Sequence, residues 1–330
     1  MRPRYAALAL LAAAGCGTFE DPAIVLDLRV LDMVADPPEQ LVPYDPDTPP
    51  RPQDVHLAPI RICGLVADPA EDRRLLWSMY VCGNDDDLRC RTGGATFRAG
   101  AGRIDDPDAA DAPQSMCAVI TPSDPPGPDD PLVAVITEAI RADPLAGFGG
   151  VDVTVGLRVV PIPGSEEDAV YAAKRIRFAP QVPVERTPNQ NPSLERIDAS
   201  IGDAAPTPLP LGRCRDQAAP IEMHVGDELH LEPVEPPGAR EEYVVPTFDG
   251  GSRMFTENLR YQWLAGAGSW QRADTGGQRD PFGNDPPLDT RYRTPPAKDV
   301  TGPVDVPLWI LQRDERLGGA WYESCVRVLP

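Results

Sequence analysis

The chain has 330 residues and carries 51 Asp and Glu against 31 Lys and Arg, which gives a formal net charge of −20 at pH 7. A surface this acidic repels nucleic acid and anionic lipid headgroups, so we expect no nucleic-acid partner. The 41 prolines and 28 glycines interrupt the chain too often for long helices, and the short runs of Val, Ile and Leu between them favour strands.

The N-terminal segment has the layout of a bacterial export signal. Arg2 and Arg4 are followed by an apolar run over residues 5–14. This run is too short to cross the ~30 Å hydrocarbon core of a bilayer as a permanent helix. The sequence therefore predicts a cleaved signal peptide over residues 1–15.

The residues that end this signal resemble the lipobox of bacterial lipoproteins, with Ala13 where Leu is usual. The resemblance implies diacylglyceryl and palmitate-type groups on Cys16 and a lipidated tether over residues 16–22. The alternative is an ordinary secretory signal with an incidental cysteine. Gly17 stands where an inner-membrane retention signal often has Asp, so we expect an outer-membrane lipoprotein that faces the periplasm or the cell surface. No later segment offers ~20 consecutive apolar residues, so the lipid is the expected membrane contact.

The first predicted elements are three short strands and one helix. Runs of apolar residues predict strands over residues 24–31, 57–67 and 75–81. Asp130 precedes Pro131, apolar residues follow at spacings of three and four, and an Asp-Pro pair ends the run. An Asp cap with Pro in the first turn is typical of a helix start, which predicts a helix over about 131–142.

The remaining predicted elements are strands. Over residues 151–159 every odd position is apolar and every even position is polar or glycine, as in a strand with one face in water. Similar runs predict further strands in chain order over residues 151–162, 169–178, 221–225, 228–234, 259–264, 304–312 and 321–329. Each run is too short to span a domain as a helix.

An internal repeat predicts two copies of one domain. Leu-Arg-Val-Leu-Asp over residues 28–32 is echoed by Leu-Glu-Arg-Ile-Asp over 194–198, and a tryptophan stands in a predicted strand of each half. We therefore predict domains over residues 23–186, with long loops rich in Pro and Asp, and over 187–330. The joint contains two asparagines between prolines, which favours a semi-rigid spacer and leaves calcium binding there as an open alternative.

The second half resembles the immunoglobulin-like domains, of PKD or cadherin type, found in surface lipoproteins of Gram-negative bacteria. The resemblance rests on Arg313-Asp314, the glycine pair Gly318-Gly319 and the closing strand over 321–329, and it is weaker over residues 22–185. It implies an all-β fold of two immunoglobulin-like β-sandwiches in tandem, the first with a short inserted helix near 131–142. None of these motifs is catalytic, so the resemblance implies no reaction.

Six cysteines other than Cys16 remain, and an even number in an exported chain favours three disulfides. A zinc site is the alternative, but no C-x-x-C pair occurs, and we expect no metal or other cofactor. If bridges stay within domains, Cys214 pairs with Cys325, and the other four cysteines allow three pairings. We favour Cys82 with Cys90, and Cys63 with Cys117, because Cys63, Trp77 and Cys117 resemble the Cys, Trp, Cys order of immunoglobulin domains. The tyrosine two residues before the last cysteine in that pattern is missing here.

Two tryptophans, Trp77 and Trp263, are predicted to fill the space between sheets. Trp270 follows a Gly-Ala-Gly-Ser loop and precedes Gln-Arg, so Trp270 and Arg272 are interpreted as an exposed pair that could contact a ligand.

The sequence predicts no enzyme. It contains no G-x-S-x-G motif, no P-loop and no dinucleotide fingerprint. The expected function is a lipid-anchored, non-catalytic binding or scaffolding module with a protein or glycan partner. The alternatives are a structural subunit of a secretion or envelope complex, and a hydrolase or metal-dependent enzyme on a β scaffold.

Overall fold

A computed structural model describes residues 21–44, 54–68, 73–83, 89–91, 94–104, 116–247 and 250–330. These residues form sheets and one α-helix, arranged as two β-sandwiches in tandem, which confirms the predicted all-β sandwich class with an inserted helix. In the described part of the chain, no helix combines the length and the apolar character needed to cross a bilayer.

The first sandwich packs a three-stranded sheet against a five-stranded one. The smaller sheet has the order β1 (Arg29–Asp36), β3 (Ile60–Ala67) and β6 (Met116–Ile120). The larger sheet has the order β2 (Glu39–Val42), β8 (Val170–Pro180), β7 (Val151–Ile162), β4 (Arg74–Cys82) and β5 (Thr96–Ile104). The five odd positions from Val151 to Val159 are buried in the core of this sandwich, as the alternation predicts. The predicted water-facing side is only partly observed, because Thr154 and Gly156 are buried as well, while Asp152 and Arg158 are half-buried.

The helix α1 (Pro131–Ala142) has the predicted bounds. Asp130 caps it, since one carboxylate oxygen accepts a 2.8 Å hydrogen bond from the Leu132 amide and the other accepts from Ser123. The apolar stripe of the helix, represented by the buried Leu132 and Val135, packs on the core of the first sandwich.

The second sandwich packs two five-stranded sheets face to face. One has the order β10 (Thr207–Pro208), β9 (Arg196–Ile201), β12 (Glu228–Val234), β18 (Thr290–Arg293) and β16 (Ser269–Trp270). The other has the order β11 (Ile221–His224), β20 (Gly319–Leu329), β19 (Val304–Arg313), β15 (Arg260–Ala265) and β17 (Asp274–Gly276). A separate hairpin consists of β13 (Glu242–Pro246) and β14 (Ser252–Thr256).

The first predicted strand is wrong in its bounds. β1 begins at Arg29 rather than at residue 24, because the segment before it pairs elsewhere. The Val25 amide donates to the carbonyl of Ala265 on β15, and the Ala265 amide donates to the carbonyl of Ala23. Ala23 and Val25 are buried in the core of the second sandwich, so the N-terminal segment belongs structurally to that body.

Three disulfides are present, Cys63–Cys117, Cys82–Cys90 and Cys214–Cys325, and these are the pairs favoured from the sequence. Cys63 and Cys117 lie opposite each other on the neighbouring strands β3 and β6. Their bridge therefore joins two strands of one sheet, whereas the conserved disulfide of antibody domains joins the two sheets. The resemblance to the Cys, Trp, Cys order of that family does not extend to this geometry.

Candidate functional site

The interpretation of Trp270 as an exposed side chain is wrong. It is 9% exposed, and its ring packs against Trp263 and Tyr292, with centroids 5.8 and 5.2 Å away. The Arg272 guanidinium lies 3.9 Å from the Asp289 carboxylate. Trp270 extends the aromatic core of the second sandwich, and a ligand contact by Trp270 and Arg272 stays a prediction. Cys16 lies outside the described residues, so its lipidation also stays a prediction.

A buried ionic cluster joins the two sandwiches. Glu39, at the start of β2, is 2% exposed, and its carboxylate accepts from Arg316 Nη2 at 2.8 Å and from the guanidinium of Arg186. Arg316 follows β19 in the second sandwich and also contacts Glu257 at 3.3 Å and Glu241 at 3.5 Å. The guanidinium of Arg316 therefore contacts three carboxylates that belong to both bodies, and it shares Glu39 with Arg186.

The two asparagines of the predicted joint complete this contact. The amide nitrogen of the Asn189 side chain donates at 3.0 Å to Asp314 and to the Arg316 carbonyl, and the Asn189 backbone amide donates to Glu39. Asn191 donates to the Ala35 carbonyl of β1. Because these bonds reach both sandwiches, residues that the sequence suggests as a spacer instead fix the joint.

The cluster changes the acidity of Glu257, which is 2% exposed. Burial raises the pKa of this carboxyl to about 7, and the nearby Asp314 and Glu241 add to the rise, while Arg316 opposes it. Among the residues that the structure describes, no group of three or more His, Cys, Asp and Glu side chains is arranged to hold a metal ion. The positive charge beside these carboxylates comes from Arg316 and Arg186.

A second polar constellation lies on the solvent face of the first sandwich. Tyr80 of β4 lies opposite Gly156 of β7, and Arg158 of β7 lies opposite Tyr171 of β8. Together with the loop residues Arg89 to Arg91, these side chains line a hollow of about 200 Å³, which we call the arginine–tyrosine hollow. Gly156, which is buried, forms part of its lining.

The hollow holds one carboxylate of this chain. Glu166, on a short 3-10 turn over Glu166–Asp168, accepts from Arg91 Nη2 at 2.8 Å and from Arg158 Nε at 2.9 Å. The Tyr171 hydroxyl donates to the same carboxylate. The hydrogen bond from Arg158, with that from Tyr171, holds the pKa of Glu166 at about 2, so this group is ionised at neutral pH.

The disulfide between Cys82 and Cys90 positions the arginine-bearing loop. Cys82 ends β4, so the bridge holds Cys90 and its two arginine neighbours beside the sheet. The Arg89 and Arg91 guanidinium groups then lie 4.3 and 5.3 Å from the centroid of the Tyr171 ring. Such cation–π contacts favour this placement of both side chains.

The sequence alone does not predict the arginine–tyrosine hollow, because its members come from three strands, one loop and one 3-10 turn. Arg91 and Glu166 are 75 residues apart. The available signal is local: Arg158 occupies an outward position of the alternating strand β7, two residues after Gly156. That pattern predicts an exposed arginine but cannot identify what faces it.

No protein-family model and no curated protein matches the chain. Among solved structures it is similar to Escherichia coli alpha-2-macroglobulin activated by porcine elastase, at 10% identity over 94% of this chain and 22% of that chain, with a TM-score of 0.22. It is also similar to the C-terminal domain of the Streptococcus agalactiae AgI/II polypeptide BspA, at 9% identity over 82% and 92%, with a TM-score of 0.17. A third similarity is to the collagen adhesin of S. aureus, at 8% identity over 92% and 93%, with a TM-score of 0.15. The chain spans about a fifth of the macroglobulin. TM-scores this low support no conclusion about function.

Proposed function

We propose that this chain is an outer-membrane lipoprotein whose two sandwiches act as a non-catalytic module that binds or positions a partner at the cell envelope. The observation that carries the proposal is the ionic joint, in which Arg316 links Glu39 of one sandwich to Glu257 of the other. A joint of this kind holds two sandwiches as one body, so a binding surface on either keeps its orientation. The three disulfides are typical of a protein outside the cytoplasm.

The path of the N-terminal segment supports attachment close to the membrane. Residues 23–25 pair with β15 of the second sandwich, as described above. Only five Cα steps separate Cys16 from Asp21, the first described residue. An extended chain covers at most ~3.6 Å per residue, so a lipidated Cys16 keeps the second sandwich within about 18 Å of the bilayer surface.

The anchor is tested by comparing wild type with Cys16→Ser in native envelopes. We expect acylated wild-type protein, which begins at residue 16, to enter the detergent phase with the outer membrane, and the variant to be released into the aqueous phase. Gly17→Asp is the matched control, since it keeps the lipid and is expected to move the protein to the inner membrane. An unacylated native protein that begins at Met1 contradicts the anchor.

The binding role is tested by crosslinking intact envelopes and purifying the protein under denaturing conditions. We expect one reproducible partner with wild type, and loss of most of that adduct with Cys16→Ser. A partner present in equal amounts with the chain identifies a subunit of a complex, whereas a partner in lower amounts identifies a free binding module. If no adduct exceeds the Cys16→Ser background, the binding role is wrong.

A further inference from the structure

We propose that the arginine–tyrosine hollow of the first sandwich is a receptor for carboxylate groups, that its ligand is an acidic peptide segment of a partner protein, and that Glu166 is a built-in occupant which this ligand displaces. The inference rests on the proposed binding role, because it assigns the partner's chemistry and its place on the body.

The contacts to the Glu166 carboxylate show which chemical group the hollow binds. Guanidinium groups of Arg91 and Arg158 and the hydroxyl of Tyr171 converge on the two oxygens of Glu166. Arginine forks match the planar geometry of carboxylates, and hydrogen bonds between ionised partners are stronger than neutral ones. The donors therefore form a site that accepts a carboxylate from another chain with the same geometry.

Glu166 is held in a way that permits exchange. Its side chain is 56% exposed, and it lies on a turn of three residues that is closed locally by Ser165 and Asp168. Exposed ion pairs contribute little to stability, because water and salt compete for both partners. The hollow between Tyr80, Arg158 and the loop residues Arg89 to Arg91 has a volume of about 200 Å³, which is the room for an incoming group. Displacing Glu166 moves one turn and leaves the sheet intact.

The arginines around the hollow favour a ligand with several carboxylates over a ligand with one. By strand register Arg98 lies opposite Tyr80, and Arg175 lies opposite Thr154, so both exposed arginines lie on the sheet face that carries the hollow. Arg175 itself lines a separate hollow with Asp143 and Asp152. This positive face stands out on a chain of net charge −20. At 0.15 M salt the Debye length is about 8 Å, so distant acidic residues are largely screened while the neighbouring arginines still attract the ligand. An acidic peptide engages several of these arginines at once.

The test measures binding of a fluorescein-labelled octaglutamate peptide to the detergent-solubilised full-length protein by fluorescence anisotropy at 0.15 M NaCl. We expect saturable binding by wild type, at least threefold tighter binding by Glu166→Gln, and at least tenfold weaker binding by Arg158→Ala. Arg327→Ala is the matched control, because Arg327 is a half-exposed arginine paired with Asp305 on the second sandwich.

Arg91→Ala changes only the loop and serves as the second variant if Arg158→Ala fails to fold by circular dichroism. Wild-type affinity in both Arg158→Ala and Arg91→Ala overturns the receptor, and unchanged or weaker binding by Glu166→Gln overturns the displacement. An octaglutamine peptide that binds equally well also contradicts the site. A partner crosslinked in envelopes together with no octaglutamate binding defeats this inference but leaves the proposed function standing. If the native protein is not acylated but still binds octaglutamate, the proposed lipoprotein function is wrong and the carboxylate receptor stands.

Discussion

Glu257 is a carboxyl group that the fold withdraws from water. Its pKa rises to about 7 because the joint buries it close to Asp314 and Glu241. The ordinary value is 4.5, so between these two values the folded protein keeps a proton that the unfolded chain has released. The stabilising contribution of Glu257 is therefore complete below about pH 4.5 and is lost as the pH rises through 7.

We predict that Glu257→Gln makes the stability of the protein less dependent on pH in this window. The difference in free energy of unfolding between wild type and variant should shift by about 1–3 kcal/mol between pH 4.5 and 7.5, with wild type losing stability as the pH rises. Urea denaturation at several pH values measures this difference. Glu242→Gln, an exposed neighbour on β13, is the control, and equal pH profiles for wild type and Glu257→Gln would contradict the assignment.

Tryptophans show how far single residues can be interpreted from sequence. Trp263 is fully buried as predicted, because it stands in an apolar strand. Trp270 stands beside glycines and an arginine, so its neighbours suggest exposure, but the chain turns back and pairs Trp270 with Tyr292 on β18. The burial of a side chain in a loop-like sequence depends on the strand that receives it, which local composition does not specify.

At the scale of elements, α1 is the segment whose local signals suffice. Asp130 supplies the cap, Pro131 fits the first turn, and the apolar stripe faces the core, so every signal lies within the helix and its caps. The strand β5 is the opposite case. Gly100 and Gly102 make its sequence resemble a loop, but a Cβ on Gly102 would lie 2.6 Å from Nε1 of Trp77. The ring of Trp77 requires glycine at this position of β5. Because glycines are typical of loops, the sequence analysis does not predict this strand.

We predict that Asp130→Ala lowers the free energy of unfolding by about 1–2 kcal/mol. The cap on the Leu132 amide accounts for about 1 kcal/mol, and the lost hydrogen bonds from Ser123 account for the remainder. Thermal and urea denaturation measure the loss. Asp129→Ala, which changes the exposed preceding residue, is the control, and equal effects of the two substitutions would exclude a capping role for Asp130.

At the scale of the whole molecule, the joint is the feature that makes two sandwiches one body. Glu39 and Arg316 are 277 residues apart, and each is almost enclosed, with 2% and 12% of the side chain exposed. Lys174 of β8 adds a further bond across the joint by donating to the Leu317 carbonyl. Removing one member of such a buried pair leaves the other without compensation, which costs much more than losing a surface pair.

We predict that Arg316→Ala lowers the free energy of unfolding by about 3–5 kcal/mol, because Glu257 stays buried without this cation and Glu39 keeps only Arg186. Arg316→Lys keeps the charge but loses the bidentate hydrogen bonds of the guanidinium. Its free energy of unfolding should therefore lie between those of wild type and Arg316→Ala. Arg260→Ala is the control, since its pair with Asp274 is exposed and should cost at most about 1 kcal/mol. Urea denaturation measures all three, and a loss with Arg316→Ala no larger than with Arg260→Ala would show that the joint does not depend on this side chain.

The sequence by itself determined ten strand segments, the helix and the class of the fold, because periodicity and caps depend on residues only a few positions apart. One of those segments, at residue 24, needed correction, since its partner is Ala265 in the other half of the chain. Only the tertiary structure decided that Arg316 meets Glu39 and that Arg91 meets Glu166. Ion pairs between distant residues form where packing brings strands and loops together, and no local pattern encodes that meeting.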